Sequence, residues 1–305
     1  MVSLMPDPTP CPRCGAASEY LLTPRDRAAG APTTIRLCAS RVCGVGFTEP
    51  APDGHGAAPA ASPSGEVEDR LASGIVAAGL APLMRALPRG ATVLDVGAGS
   101  GLRAKVLAER GFRVIAIEPD AVEEMRAHAM MSSLPVGASI EVVRAGVDDL
   151  PEVMAGRIAH AAVMWHVLEH LHELDGGLGT VAGVLEPRGL LGVAVPNRES
   201  AEARAFGPRW HGWEPSRHRW HFDEDSLRLV LGAAGFSVAD IGTRGGWGYP
   251  SGVAYSLAPG LDPQVNPRKG LLGRALAAAM IPVAAAARAA GRGGQLVTIA
   301  RRAEP

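Results

Sequence analysis

The stretch Thr92-Val-Leu-Asp-Val-Gly-Ala-Gly-Ser-Gly101 decides the fold. Its first five residues are a short run of strand formers, and the run stops in glycines at alternate positions, Gly97, Gly99 and Gly101. After them Leu102, Val106 and Leu107 recur at helical spacing, and Gly111 supplies a C-cap. The pattern is strand, tight glycine turn, helix. With no Cβ in the way, backbone N–H groups of such a turn can approach a ligand closely. The spacing G-x-G-x-G differs from the G-x-G-x-x-G of dinucleotide binders, because position 102 is Leu. That difference fits a ligand without a pyrophosphate, and Asp95 suits one that carries an ammonium group.

A second strand follows over residues 113–118, and its acidic end lies 21 residues after Gly97. In a doubly wound sheet this spacing places Glu118 beside the glycine turn, where a carboxylate can accept both ribose hydroxyls. Apolar periodicity then predicts helix over 120–131, strands over 139–144 and 158–165, and helix over 174–185. A strand over 190–195 is stopped by Pro196. Helix over 226–235, strand over 236–242 and a last strand over 295–301 complete the pattern. A further helix runs from Val67 to Leu87 into the first strand and is ended by Pro88 and Gly90. The fold class is α/β: a doubly wound, Rossmann-like, seven-stranded sheet.

Residues 93–101 followed by Val114-Ile-Ala-Ile-Glu-Pro-Asp120 resemble the class I S-adenosylmethionine-dependent methyltransferases. The resemblance implies that Asp95, Gly97, Ala98, Gly99 and Gly101 hold the methionine end of the cofactor, and that Glu118 and Pro119 meet the ribose. Gly146-Val-Asp-Asp-Leu-Pro151 resembles the family phrase that touches adenine, with Gly146 where the family usually has Asp. The adenine contact then falls to the Val147 backbone or to Asp148. Trp165-His-Val-Leu-Glu-His-Leu171 resembles a second family phrase and implies a cofactor-side wall of Trp165 and His166. Zinc on His166, His170 and His172 is the weaker reading of the same residues. The third phrase, residues 186–197, has Arg188 where Gly is common and turns toward the substrate.

All four cysteines fall in the first 43 residues, as Cys11-Pro-Arg-Cys14 and Cys38-Ala-Ser-Arg-Val-Cys43. Two close pairs of thiolates suit a tetrahedral, structural zinc, and a segment of about 45 residues buries too little core to fold without such a staple. Unpaired thiols, or a redox pair at Cys11 and Cys14, are the alternative. The resemblance agrees with zinc on Cys11, Cys14, Cys38 and Cys43, because many methyltransferases of sugar and natural-product pathways begin with a zinc-ribbon-like module. The expected organisation is a zinc module over 1–50, a flexible Ala/Pro/Ser/Gly linker over 51–66 and a methyltransferase domain over 67–305. A helical insertion or cap occupies 245–294.

Thirty basic and 31 acidic residues leave a net charge of −1, so no basic field invites nucleic acid. The N-terminus lacks the apolar segment of a signal peptide, and a cytoplasmic location is expected. Residues 270–290 are long enough to span a bilayer, but they are alanine-rich and interrupted by Arg274, Pro282 and Arg288. Packed helices over the active site are the preferred reading, and a peripheral membrane contact is the other.

Nine of the 13 aromatic residues lie between Phe206 and Tyr255, and six of the nine histidines between His166 and His221, so both types crowd onto the expected substrate edge. Trp210-His-Gly-Trp213 and Arg217-His-Arg-Trp-His-Phe222 could stack a sugar ring or form an apolar slot. His218 and His221 are the leading base candidates, with His166 and His170 beside them. An imidazole, with pKa near ~6.5, can take a proton from a hydroxyl at neutral pH. Residues 218–222 resemble a His-x-x-His/Tyr-Phe phrase of relatives acting on sugar nucleotides, with His221 where several carbon-methylating relatives have Tyr. Arg217 and Arg219 are candidates for an acceptor phosphate or carboxylate. The expected reaction is O-methylation of a sugar, nucleotide-sugar or other natural product. The alternatives are carbon or nitrogen methylation, a nicotinamide-dependent oxidoreductase and a non-catalytic partner protein.

Overall fold

The computed structural model describes residues 9–25, 32–52, 66–131, 134–135, 137–244, 256, 279 and 282–304. Three strands come first: β1 (Ser18–Leu22), β2 (Thr34–Cys38) and β3 (Gly46–Glu49). Helix α1 (Glu66–Ala86) leads into β4 (Thr92–Val96), α2 (Leu102–Ala108), β5 (Arg113–Ile117), α3 (Ala121–Met131) and β6 (Ser139–Val143). Next come α4 (Leu150–Met154), β7 (Ala159–Trp165), α5 (Leu174–Val184), β8 (Leu185–Pro196) and α6 (Ala201–Phe206). The chain closes with β9 (Trp220–His221), α7 (Glu224–Ala233), β10 (Phe236–Arg244) and β11 (Gln295–Arg302).

Seven strands form one sheet in the order β10-β11-β8-β7-β4-β5-β6, with β11 antiparallel to both neighbours and the other pairs parallel. Val93 and Leu94 of β4 and Ala161 to Met164 of β7 have no exposed surface, as expected of parallel strands covered on both faces. The chain leaves β4 toward β5 on one side and returns on the other through β7. The carboxyl ends of β4 and β7 therefore flank the switch point where open α/β sheets bind ligands.

The cysteine segment packs into the rest of the fold. It builds a second sheet, β1-β2-β3-β9, whose last strand comes from the segment between α6 and α7. Gly46 pairs with His221 and Phe47 with Trp220. Thr48 is the clasp: its N–H donates to the Arg219 carbonyl at 3.0 Å, and its hydroxyl donates to the His218 carbonyl at 2.6 Å. The same hydroxyl lies 2.8 Å from His221 Nε2. Cys11, Cys38, Cys43, Val45 and Phe47 share one buried cluster with Trp220, Phe222 and Leu227, so module and domain have a common core. A two-residue strand has no periodicity of its own, which is why β9 is invisible in the sequence.

The linker expected over 51–66 lies almost wholly outside the described residues, as does most of the insertion expected over 245–294. Within the 270–290 stretch, 282–289 are helical. Among the described residues no helix is long and apolar enough to cross a membrane.

Two glycines of the decisive turn separate strain from crowding. Gly99 (φ +55°) has open space where a Cβ would stand, whereas at Gly101 (φ +80°) that Cβ would lie 2.9 Å from the Ala127 Cα on α3. Left-handed backbone costs an L residue about 1–2 kcal/mol by itself. Gly99→Ala should therefore destabilise by about 1 kcal/mol and Gly101→Ala by about twice that or more, read from urea unfolding midpoints of the two variants.

Candidate active site

The glycine turn forms because β4 ends where the chain must reverse into α2 without side chains. Gly97, Gly99 and Gly101 all have positive φ, and Ala98 between the first two is buried and donates its N–H to the Ile117 carbonyl. The Glu118 carboxylate sits at the end of β5 and holds the turn from the other side. Oε2 accepts from the Gly99 N–H at 2.7 Å and Oε1 from the Asp120 N–H at 3.0 Å, so Pro119 is carried in a fixed bend. Asp95 is fully buried on β4. Arg103 of α2 reaches back to it, with Nε donating to Oδ1 at 3.0 Å, and also donates to the Gly97 carbonyl. Oδ2 has no partner. Burial pushes the Asp95 carboxyl up, and the Arg103 guanidinium opposes that rise. Thus the turn already contains a cation against the buried carboxylate, and the Ala104 N–H favours its ionised form as well. Val147 follows β6 half-buried, Asp148 is exposed, and Asp149 accepts from the Gly146 N–H at 2.8 Å.

At the end of β7 the chain turns sharply, with His166 in the left-handed region at φ +58°. Its ring is held on both sides: Nδ1 lies 2.9 Å from Glu169 Oε1, and Nε2 is 2.9 Å from the Gln295 amide nitrogen on β11. Trp165 turns its ring toward α1, where it covers Gly79 closely enough to exclude a Cβ. Glu169 is fully buried. Burial raises its carboxyl, but the hydrogen bond from His166 and the nearby His170 and His218 outweigh burial and bring it to about 2.

Between this edge and the segment after α6 lies a cavity of about 250 Å³. Its wall includes His166, His170, Glu202, Trp210, His211, Glu214, Arg217, His218 and Gln295. His170 Nδ1 faces the Arg217 carbonyl at 3.1 Å, and His218 Nδ1 faces the Gly212 carbonyl at 3.0 Å. Burial lowers His170 and His211 each to about 4. Glu214 pairs through Oε1 with Arg217 at 2.6 Å and through Oε2 with His218 Nε2 at 3.3 Å. Glu202 is different. It is buried, its Oε2 accepts a long 3.4 Å bond from the Trp210 indole, and its Oε1 has no partner. Burial pushes this carboxyl up to about 7, with the indole hydrogen bond opposing.

The structure divides the residues named from sequence. His166, His170 and His218 meet in the cavity, and His221 does not line it. His221 is buried against Thr48 and Trp213, with its basicity driven well down by burial, and serves the junction between the sheets. His172 is exposed beside Glu173. Trp213, Trp220 and Phe222 pack the interior rather than form a slot, and only Trp210 of the Trp210–Trp213 stretch's two indoles reaches the cavity. Arg217 lines the wall but is matched to Glu214, whereas Arg219 lies over the Trp220 ring at 5.4 Å. Glu202 and His211 are the residues that sequence alone missed. Glu202 belongs to no quoted stretch, His211 lies within Trp210–Trp213 without being singled out there, and burial makes both unusual.

The four cysteines come together as their spacing implied. A sulfur from each lies within 4.8 Å of the others, with Cys11 and Cys43 4.0 Å apart and Cys14 and Cys38 3.4 Å apart.

The methyltransferase-domain family matches residues 68–241. The chain is 30% identical over 198 residues to the ubiquinone biosynthesis O-methyltransferase of Methylocella silvestris, an alignment covering 58% of this chain and 74% of that protein. It is 34% identical over 116 residues to the protein of the same name from Xanthomonas axonopodis pv. citri, covering 37% of this chain and 46% of that one. A SAM-dependent methyltransferase structure from Archaeoglobus fulgidus superposes with a TM-score of 0.51 at 16% identity, covering 78% of this chain and 97% of that one. One from Methanosarcina mazei gives 0.50 at 16%, covering 73% and 98%. At such identities the structural likeness speaks for the fold alone.

Glu202 carries a stability signature with a definite sign. A carboxyl raised from its usual 4.5 to about 7 keeps its proton in the folded state when the unfolded chain has lost it. Folding stability therefore falls as pH rises from about 4.5 to about 7, by a few kcal/mol at most. Glu202→Gln should be nearly neutral at pH 4 and stabilising at pH 8, measured by urea denaturation at both.

Proposed function

The chain belongs to the S-adenosylmethionine-dependent methyltransferase family, and from that premise we propose that it methylates an oxygen of a small hydroxylated acceptor, such as a sugar or another natural product, bound in the histidine-lined cavity. The observation that carries this reading is the buried Glu202, which has one unpartnered oxygen in a cavity at the carboxyl edge of β7 and β8. The O-methyltransferase names of the relatives favour oxygen over carbon or nitrogen.

The glycine turn fits the cofactor. Gly99 leaves open space, the buried Asp95 carboxylate places negative charge behind the turn to attract the ammonium of the methionine part, and Glu118 can accept ribose hydroxyls with the lone pairs its two backbone bonds leave free. S-adenosylmethionine supplies a methyl group already activated on a sulfonium, so the protein's task is to align the acceptor in line with it and receive its proton. Glu202 is the proton acceptor. Its raised carboxyl titrates near neutral pH, the range where a general base is most useful. His221, a base candidate by sequence, does not line the cavity, which favours Glu202 in this role.

The four thiolates hold a structural zinc. Zn–S bonds of about 2.3 Å in a tetrahedron put sulfurs about 3.8 Å apart. The 3.4 and 4.0 Å separations bracket that value. Arg13 lies against Cys43 and donates to Asp175 on α5 at 2.9 Å, so the module's charge is anchored to the domain.

Transfer of labelled methyl from S-adenosylmethionine to a panel of phenolic and sugar-hydroxyl acceptors tests this function. With an accepted substrate, kcat/KM should rise with pH through about 7, and Glu202→Gln should lower kcat by about 100-fold and flatten that rise. A profile unchanged by the substitution would remove Glu202 as the base. Cys14→Ser should lose bound zinc, read by elemental analysis, and lower the thermal midpoint by several degrees.

A further inference from the structure

We propose that His170, His218 and Glu169 bind a divalent first-row transition metal in the cavity, at a site separate from the four cysteines. A ligand atom from each of the three lies within 4.8 Å of the other two. Metal bonds of about 2.1 Å would draw these atoms together by side-chain adjustments on the order of an ångström.

The hydrogen bonds around the cluster point the same way. A carbonyl only accepts, so the Nδ1 of His170 donates to the Arg217 carbonyl, and the Nδ1 of His218 donates to the Gly212 carbonyl. With Nδ1 donating outward in each ring, Nε2 is the nitrogen left to face a metal. Backbone partners on the outer nitrogen are how metal-binding histidines are oriented. Glu169 is fully buried; its Oε1 is taken by His166, and its Oε2 has no partner. Across the cluster, Glu214 brings Oε2 to 3.3 Å from the Nε2 of His218, lone pair against lone pair unless positive charge lies between them. Glu169 Oε2 is the unmatched buried acceptor of the cluster, such an atom is costly, and a dication held by it and the two imidazoles would match it. Two imidazoles and a carboxylate favour zinc, manganese, iron or cobalt over magnesium or calcium.

The binding site stands on these contacts alone. Its consequence rests on the methyl-transfer reading: the metal would coordinate the acceptor hydroxyl and make its proton easier for Glu202 to remove.

The full chain, stripped by chelator and titrated with Co²⁺, tests the site by elemental analysis and absorption. Two cobalt ions per chain are expected, one giving a strong thiolate charge-transfer band and one giving only weak visible bands of nitrogen and oxygen ligands. His170→Gln should reduce the count from two to one and keep the thiolate band, which also reports that the module remains folded. A wild-type count of one, all of it on thiolates, would overturn the proposal and leave an imidazolium of His218 paired with Glu214. A His170→Gln variant that still binds two would overturn it as well. Calorimetric titration of the same preparation with S-adenosylmethionine reads the cofactor separately, so loss of cofactor binding would not be mistaken for loss of the metal.

Discussion

The pairing of Gly46 and Phe47 with His221 and Trp220, locked by Thr48, is the contact on which the acceptor side of this protein depends. The segment from Trp210 to Phe222 has little regular structure of its own, with short 3₁₀ turns and a two-residue strand. A segment of that kind holds a side chain in place only when something outside it does the holding. Here β3 supplies a strand edge, Thr48 takes the backbone carbonyl of His218, and the Trp220 indole donates to the Leu171 carbonyl at 2.7 Å. His218 is thereby fixed between the cysteine module and the turn after β7. Gly46 is part of the same fit: a Cβ there would stand 3.0 Å from the His221 Cβ.

The two halves of the site follow different physical logics. The half proposed for the cofactor is built from backbone. Three positive-φ glycines, a buried aspartate and a glutamate capping two N–H groups form a rigid cradle whose shape is set by the sheet. The half proposed for the acceptor is built from buried titratable side chains, which are expensive to desolvate and are held by specific partners. Glu169 is kept ionised by His166, Glu214 by His218 and Arg217, while Glu202 has only an indole and stays near neutrality. Neighbouring carboxylates thus have different proton affinities, the arrangement acid–base chemistry requires.

The sheet and the cofactor turn were legible in the sequence because both are local. β4, β5 and β7 are apolar runs that stop at defined residues, and the turn needs glycine at fixed positions. The four cysteines were legible for the same reason. The acceptor side was not. Its strand β9 is specified by pairing with residues more than 170 positions earlier, and Glu202 differs from any surface glutamate only by the Trp210 and Ala203 packing around it. His218 and His221, three residues apart, look equivalent in sequence. His218, before the short strand, lines the cavity, while His221, within it, is turned to Thr48 and Trp213, although the two rings are only 6.4 Å apart. The crowded tryptophans, read from sequence as a substrate edge, pack largely at the junction with the module, where Trp210 and Trp213 meet Ile35 of β2.

The central claim is that the cysteine module and the acceptor segment form one structural unit. Amide hydrogen exchange across the chain, before and after removal of metal by a thiol-selective chelator, tests it most directly. The account predicts that protection is lost together over β1–β3 and residues 214–222, while β4, β5 and the glycine turn stay protected. Opening of β1–β3 with residues 214–222 unchanged would contradict it, and the acceptor segment would then have to be held by the methyltransferase domain alone.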